Sequence, residues 1–445
     1  MSDGTAKPRL SWAQILQMNL GFLGLQYSFG LQQANMSPIW GYLGAHEADF
    51  AWLGIAGPLT GLLVQPIVGV MSDRTASKWG RRTPYFLIGA LMCSTGLFFM
   101  PLSASVIMAF SVLFLLDVGN NVTMEPYRAY VNDRLVPDQR GFGFLSQSAF
   151  TGLAQTLAYL SPSLLVWLGM SRTDSDGGIP DFVLVSFWIG AFLSMATILW
   201  SIIRVPELPL GDAERARIKA LPRRSGAMLR EIWDAIRAMP APMRTMAWMS
   251  LFQWYAMVTY WTYVNNSVAR SVFATADNQS VEFQSAQLLY GQAGALYNFI
   301  AFLAALLVLP TLARRFGAAR LHAACLVAAA ISMLLIPQVS TPWALFLAVI
   351  GIGIGWASIM GNPYIILASS IPPERTGVYM GIFNMMICAP MILYAFTMPW
   401  LYGPVLGGDP RHALMFGGVL MLLAALSVVR IVTAPTAPSA LLATR

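Results

Sequence analysis

Apolar runs of some twenty residues, parted by short polar breaks, recur along the whole chain. A helix needs about 20 largely apolar residues to cross a bilayer, and twelve runs qualify. In the first half they cover roughly 14–38, 51–71, 84–103, 106–131, 144–169 and 182–204. In the second half they cover roughly 245–268, 285–312, 320–338, 342–370, 377–402 and 412–433. The pattern predicts an all-α membrane protein with twelve transmembrane helices. The longest hydrophilic interval, Pro206 to Met243, separates six spans from six. It divides the chain into an N-terminal six-helix bundle (1–205), a linker (206–243) and a C-terminal six-helix bundle (244–445). Within the linker Met228, Leu229, Ile232, Trp233 and Ile236 fall on one helical face, with Arg230, Asp234 and Arg237 elsewhere. Such a face predicts a cytoplasmic amphipathic helix lying on the bilayer surface.

Polar residues inside the apolar runs carry the functional signal. Asp117 sits near the middle of the fourth span, where an ionised carboxylate costs several kcal/mol, by order of magnitude, and so usually faces a cavity. At helical pitch Asn121, Glu125 and Arg128 share its face, which reads as a watered pathway. Arg128 lies eleven residues on, about 16 Å away at 1.5 Å per residue, so pairing with Glu125 or snorkelling suits it better than contact with Asp117. Glu125 itself is about 12 Å from Asp117, too far to share a proton as a paired-acid enzyme site would require.

Neutral hydrogen-bonding groups and aromatics accompany that acid. Span one has Gln26, Gln32, Gln33 and Asn35; spans four and five add Asn120, Asn121, Gln147 and Gln155. Span seven carries Gln253, Trp254, Tyr260 and Trp261, and span eight carries Tyr297 and Asn298. Spans ten and eleven contribute Trp356, Asn362 and Asn384. Amides match hydroxyls and aromatic faces stack on sugar rings, so these residues, with Arg128, are candidate ligands for an uncharged polar cargo. Any one amide serves equally well as an interhelix hydrogen bond, and any one aromatic as core filler. Their number carries the reading.

Composition narrows the class further. Of 445 residues 57% are hydrophobic and 11% charged, against about 25% charged in soluble domains. With a cytoplasmic N-terminus, all 27 Lys and Arg except Arg128, Arg172, Arg270 and Arg411 fall at cytoplasmic ends or loops, as the positive-inside rule requires. That asymmetry accounts for the +7 charge without nucleic acid, and it places both termini in the cytoplasm. The polar start precedes a first span with no small-residue cleavage site, so that span is read as retained. Cys93, Cys325 and Cys388 lie far apart within spans, and His46, His322 and His412 are scattered, so no metal site or disulfide framework is expected. Nor is a cofactor. No GxxxxGK[ST] motif marks an ATP-driven pump.

The halves share traces of a repeat. Glu125-Pro126-Tyr127 followed by ProAspGlnArgGly (137–141) parallels Asn362-Pro363-Tyr364 followed by ProProGluArgThrGly (372–377). AsnMetSer (35–37) parallels AsnAsnSer (265–267). Two parallel six-helix halves fit a secondary carrier, with Pro126 and Pro363 as helix kinks. After span two come Gly69, Asp73-Arg74 and then Gly80-Arg81-Arg82. This resembles the loop 2–3 signature of the major facilitator superfamily. Gly69 is expected to permit close helix approach, and Asp73 to pair with arginines in a cytoplasmic gate; Glu125 joins the gating candidates. The counterpart LeuAlaArgArgPheGly (312–317) lacks the acid.

A narrower resemblance follows. GlyProLeuThrGlyLeuLeuValGlnProIleValGly (57–69), LeuAspValGlyAsnAsn with ProTyrArgAla (116–129), GlyGlnAlaGlyAlaLeuTyrAsn (291–298) and the stretch 354–387 resemble spans of the sucrose/proton symporters. These are relatives of the glycoside–pentoside–hexuronide cation symporters. The resemblance implies a disaccharide cargo, sucrose or a maltose-like glycoside, and alternating access with Asp117 carrying the coupling proton. It implies a monomer in the cell membrane among lipid. Span seven departs from the family: where the plant symporters hold Asp-Trp and Arg-Glu, this chain reads ThrTyrTrpThrTyrValAsnAsn (259–266), leaving Asp117 more of the coupling. Sodium coupling through Asp117, Asn120 and Asn121 is the rival mechanism. A non-transporting sugar sensor on the same fold is the rival class, and it would be expected to carry a signalling extension beyond these short tails.

Overall fold

The computed structural model describes residues 7–172, 178–211, 215–216, 218, 233–234, 236–368, 370 and 376–429. The described residues are helical and contain no strand. Helices run through all twelve apolar segments. The first six are α1 (Trp12–Tyr42), α2 (Glu47–Asp73, including a short 3-10 turn), α3 (Thr83–Phe99), α4 (Val106–Arg134), α5 (Pro137–Trp167) and α6 (Asp181–Arg204). The second six are α7 (Ala241–Val272), α8 (Val281–Phe316), α9 (Ala318–Leu335), α10 (Pro342–Leu367), α11 (Thr376–Tyr402) and α12 (Pro410–Val429).

Ten of them are long and apolar enough to cross a membrane by length and composition. The other two, α1 and α7, are ample in length at 31 and 32 residues. What sets them apart is polarity: α1 buries Asn19, Gln26 and Asn35, and α7 buries Gln253, Asn265 and Asn266. Polar side chains at membrane depth need partners within the protein. The first helix of each half thus carries buried polar groups that need partners inside the protein.

The described residues within Met1–Arg223 and Phe273–Ala295 form one compact unit, and those within Arg224–Val272 and Leu296–Arg445 a second. In the first, α1 packs on α5 and α6, α3 packs on α4 and α6, and α2 packs on α4. Glycines let α3 and α4 meet backbone to backbone: a Cβ added at Gly119 would lie 2.8 Å from the Cys93 amide nitrogen, and one at Gly89 2.7 Å from the Gly119 carbonyl oxygen. Small residues of this kind bring membrane helices close. Phe22, Phe86, Tyr127 and Tyr130 fill the core at one end, where the Tyr127 hydroxyl donates to the Met18 carbonyl at 2.5 Å.

The stretch Phe273–Ala295 joins this unit through polar contacts. Tyr42 donates to Gln287, Gln287 donates to Asn35 at 2.9 Å, and Gln279 donates to the Tyr42 carbonyl at 2.7 Å. The Tyr159 and Tyr290 rings meet edge to face at 5.8 Å.

In the second unit α7 packs on α11 and α12, and α9 packs on α10 and α12. Helix α8 carries a π-turn at Ala304–Val308. Helix α10 breaks at Met360–Gly361, just before Asn362-Pro363, where proline removes a backbone donor. Pro126 differs: α4 continues through it as one helix. Between α11 and α12, positive φ at Gly407 (68°) and Gly408 (66°) turns the chain, a region open to glycine without strain. That turn places Asp409 2.7 Å from Arg411 and 3.6 Å from Arg270 of α7.

Of the expected linker helix, Met228, Leu229, Arg230 and Ile232 lie outside the described residues, as do residues 372–375 of the second repeat motif. Trp233 and Arg237 are described, with the guanidinium 5.1 Å from the indole centroid.

Candidate functional site

Asp117 is only 4% exposed, midway along α4. It has no ion-pair partner among the described residues. Gly57 of α2 brings backbone close to it: a Cβ there would stand 3.5 Å from the carboxylate. Gln32 of α1 faces it, though the Gln32 Nε2 makes no full hydrogen bond among the described residues. One turn on, Asn121 donates to the Asp117 carbonyl at 2.8 Å and to the Thr60 hydroxyl at 2.9 Å, while accepting from Gln65 at 2.6 Å. Asn120 accepts from the Cys93 thiol at 3.1 Å, and its buried Nδ2 is unpaired among the described residues. The acid thus sits in a neutral, amide-lined setting made by α1, α2 and α4.

The other polar candidates of this unit divide in two. Gln155 donates to Gln26 at 3.2 Å, linking α5 to α1, and Gln33 keeps a buried, unpaired Oε1. Gln147 donates to Asn19 at 3.1 Å, and Asn19 donates to Ser146 at 2.7 Å. Gln147 and Asn35 are therefore engaged in helix joints, Asn35 with Gln287 and with its own helix at the Leu31 carbonyl. Arg128 shares the face of Asp117 but is half-exposed, its guanidinium 3.0 Å from Glu125.

In the second unit the aromatic candidates converge. The rings of Trp254 and Trp261 on α7 and Trp356 on α10 form a trio. Trp356 stands edge-on to the other two, at 6.2 Å and 5.4 Å. The Trp261 Nε1 and both polar atoms of Asn265, one turn further along α7, are buried and unpaired among the described residues. Tyr260 and Tyr297 meet at 6.2 Å between α7 and α8; Asn298 and Asn362 are buried, and Asn384 is half-buried.

The loop between α2 and α3 gathers its charges as the motif suggests. Arg82 reaches Asp73 at 2.6 Å, Asp133 of α4 at 2.9 Å and the Ser72 hydroxyl at 2.5 Å. Arg81 adds contacts to Asp133 at 3.4 Å and Asp73 at 3.9 Å. Burial pushes the Arg82 guanidinium towards losing its proton, but Asp133 and Asp73 outweigh it and hold its pKa above the ordinary arginine value. Arg74 is exposed. Gly69 departs from expectation: a Cβ there would meet nothing within 4 Å. Close approach in this bundle occurs instead at glycines such as Gly89 and Gly119, where α3 crosses α4, and Gly24, where α1 meets α6.

Residues 18–395 match the Major Facilitator Superfamily. The chain belongs to that superfamily. It is similar to sucrose transport protein SUC4 of Arabidopsis thaliana, at 25% identity, covering 90% of this chain and 88% of the relative. A local match of 29% identity links it to the general alpha-glucoside permease of Schizosaccharomyces pombe, covering 34% of this chain and 31% of the permease. Among solved structures, the nucleoside transporter NupG superposes with a TM-score of 0.69 at 14% identity, covering 94% of this chain and 98% of that one. A POT family transporter gives 0.68 at 12% identity, covering 94% and 95%. The likenesses to solved structures show the fold.

Two acids of this superfamily member escape a reading of its sequence. Asp133 completes the arginine cluster. Glu207, after α6, accepts from the amides of Arg81 and Arg82 at 2.7 Å each, from the Thr83 amide, and from the Thr83 hydroxyl at 2.8 Å. Gly80, with φ of 111°, makes room for that carboxylate. A negative group at a helix N-terminus satisfies orphan amides and opposes the helix dipole. The sequence held a cue in each case: AsnAspArg closing the fourth span, and ValProGlu closing the sixth. A cavity of about 480 Å³ lies beside Glu207, bounded by Lys78, Trp79, Leu87 and Ile202. It belongs to this loop and not to the surroundings of Asp117.

Proposed function

We propose that the chain is a proton-coupled symporter for an uncharged glycoside, a disaccharide of the sucrose or maltose kind. It works by alternating access in a cell membrane, with both termini cytoplasmic. The observation that carries this reading is Asp117: a buried carboxylate with no cationic partner among the described residues, set among neutral amides. A charge in such a place opposes closure of a loaded carrier, and taking up a proton removes the charge. Release of the proton then restores a state that must reopen, so proton and cargo move together.

Neutral chemistry around the acid supports an uncharged cargo. In the first unit Gln26, Gln32, Gln33, Asn120 and Gln155 offer donors and acceptors. The second unit offers the tryptophan trio with unpaired donors and acceptors at Trp261 and Asn265, a pairing of flat apolar surface and hydrogen bonds that suits pyranose rings. The similarity to sucrose transport and alpha-glucoside proteins favours the same cargo class.

The amide geometry favours the proton over sodium. The side-chain oxygens of Asn120 and Asn121 already accept from Cys93 and Gln65. A sodium ion would have to share those oxygens with their present donors, whereas protonation of Asp117 asks nothing of them.

The test is labelled sucrose and maltose uptake into proteoliposomes under an inward proton gradient, wild type against Asp117→Asn. Accumulation lost in the variant, with sugar exchange between pre-loaded compartments retained, supports the reading. Accumulation that survives the substitution removes Asp117 from coupling. Accumulation driven by sodium and indifferent to the proton gradient replaces the coupling ion.

A further inference from the structure

The second unit buries a titratable side chain for which the proposed transport cycle has no use. His322 of α9 is wholly buried, and both of its ring nitrogens are engaged. Nδ1 lies 2.8 Å from the Ser358 hydroxyl of α10, and Nε2 lies 3.0 Å from the Gln253 carbonyl oxygen of α7. Asn362, beyond the break in α10, donates to the same Ser358 oxygen at 2.7 Å.

The partners fix the state of the ring. A carbonyl oxygen only accepts, so Nε2 carries the proton and donates to Gln253. Nδ1 is then the acceptor, taking the Ser358 hydroxyl proton, while the Ser358 oxygen takes the Asn362 amide. The bonds run in one sense: Asn362 to Ser358, Ser358 to His322, His322 to Gln253. Only a neutral imidazole completes this sequence, because an imidazolium has no acceptor to offer.

The two residues that His322 touches each lie close to a tryptophan along their helix. Gln253 immediately precedes Trp254 on α7. Ser358 follows Trp356 by two positions, which at 100° per residue puts it nearly opposite on α10. His322 therefore ties together the two helices that bring Trp254 and Trp356 to 6.2 Å of each other. Close packing of α10 on α9 adds to the grip, since a Cβ at Gly355 would come within 2.6 Å of the Ala329 Cβ. The Asn362–Ser358 bond spans the discontinuity at Met360–Gly361, and the ring holds its Ser358 end.

We propose that His322 is a positioning residue for sugar binding: a neutral strut that sets the spacing of the tryptophan-bearing helices and holds Asn362 across the break in α10. The sugar itself rests on the preceding reading; the strut does not. His322 touches no cargo in this role. It acts through Trp356, Trp254 and Asn362.

Two measurements on the full-length protein test this. The first is sugar uptake in proteoliposomes at matched protein content for His322→Ala, Ser358→Ala, the double variant and His322→Gln. Loss of the strut raises the half-saturating sugar concentration by about tenfold, with maximal rate changed by less than about twofold. The double variant is no worse than the stronger single, because both remove one strut. Glutamine, with a donor and an acceptor of its own, recovers most of the affinity. An unchanged half-saturating concentration in His322→Ala and Ser358→Ala, or losses that multiply in the double, overturns the positioning role.

The second measurement is the ¹⁵N spectrum of the imidazoles, tractable because the chain has 3 histidines. His412 supplies an internal contrast. Its Nδ1 faces the Leu406 carbonyl oxygen at 2.9 Å, so that ring carries its proton on Nδ1. His322 shows the Nε2–H neutral tautomer, with an Nδ1 signal that moves in Ser358→Ala. An imidazolium or an Nδ1–H ring at His322 overturns the strut whether or not any sugar moves. A wild type that transports no sugar, with the expected ring spectrum, sinks the glycoside reading and leaves the strut standing.

Discussion

Glu207 and Asp117 are both acids, yet their surroundings assign them opposite tasks. Asp117 has no ion-pair partner among the described residues, and in the proposed cycle a mobile proton cancels its charge. Glu207 accepts from the amides of Arg81, Arg82 and Thr83 at the start of α3 and from the Thr83 hydroxyl, and has no freedom to spare. Removing its carboxylate by Glu207→Ala strands those donors, at an expected loss of about 1–3 kcal/mol in folding stability. Glu207→Gln keeps an acceptor and should lose distinctly less. Thermal unfolding of the purified variants checks the ranking, and equal losses would mean the charge matters more than the hydrogen bonds. The sequence could not disclose this contact, because its partners lie about 125 positions apart. Asp117 was legible for the contrary reason: an acid amid apolar neighbours announces itself without any knowledge of what it touches.

At the scale of helices, the apolar segments were readable because a bilayer imposes one length on every span. The break in α10 was readable too, since Asn362-Pro363 deletes a backbone donor at a known place. The π-turn in α8 was not, because AlaAlaLeuLeuVal has nothing in it to distinguish it from regular helix. Gly69 shows the limit of motif reading. A glycine marks permission for close approach, and only the packing tells whether a neighbour takes it up. Likewise Gln147 reads as a ligand until Asn19 is seen beside it.

The turn joining α11 to α12 yields a pH prediction. Burial alone would raise the Asp409 carboxyl, but hydrogen bonds and charge from Arg411, with Arg270 behind, hold it below the usual carboxylate range. A group held low in the folded state stabilises the fold above its unfolded value, near 3.9, and ceases to do so as pH falls through the lower folded one. The stability difference between wild type and Asp409→Asn should therefore be full at neutral pH, persist to about pH 5 and shrink in more acid solution. Denaturation profiles of both proteins across that range check it. A difference that grows on acidification would refute the assignment.

The molecule as a whole is a transporter of the major facilitator superfamily in which the stretch Phe273–Ala295 keeps company with the first unit. Gly41 on α1 faces Asn278 there, with a Cβ at Gly41 only 3.3 Å from that of Asn278. This is slightly shorter than the usual span of about 3.5–4.5 Å for disulfide-bonded Cβ atoms, a gap that a small backbone shift closes. Gly41→Cys with Asn278→Cys should cross-link under mild oxidation, leaving the three native cysteines, all buried, untouched. If transport requires this contact to open, uptake stops on oxidation and returns with reductant. Uptake that continues in the cross-linked protein would show the contact to be permanent.

That same stretch bears on how the protein may be divided. Severing the backbone in the hydrophilic interval after α6 looks like the natural way to make two separately encoded fragments. The first fragment would then lack Gln279, Gln287 and Tyr290, leaving Tyr42 and Asn35 without the partners they hold in the intact chain. The second would carry those residues as an orphaned polar strip. Neither fragment is a self-sufficient product, and quality control in a cell should discard each when made alone. Made together, they should recover one another, with the amides of α8 serving as the recognition code.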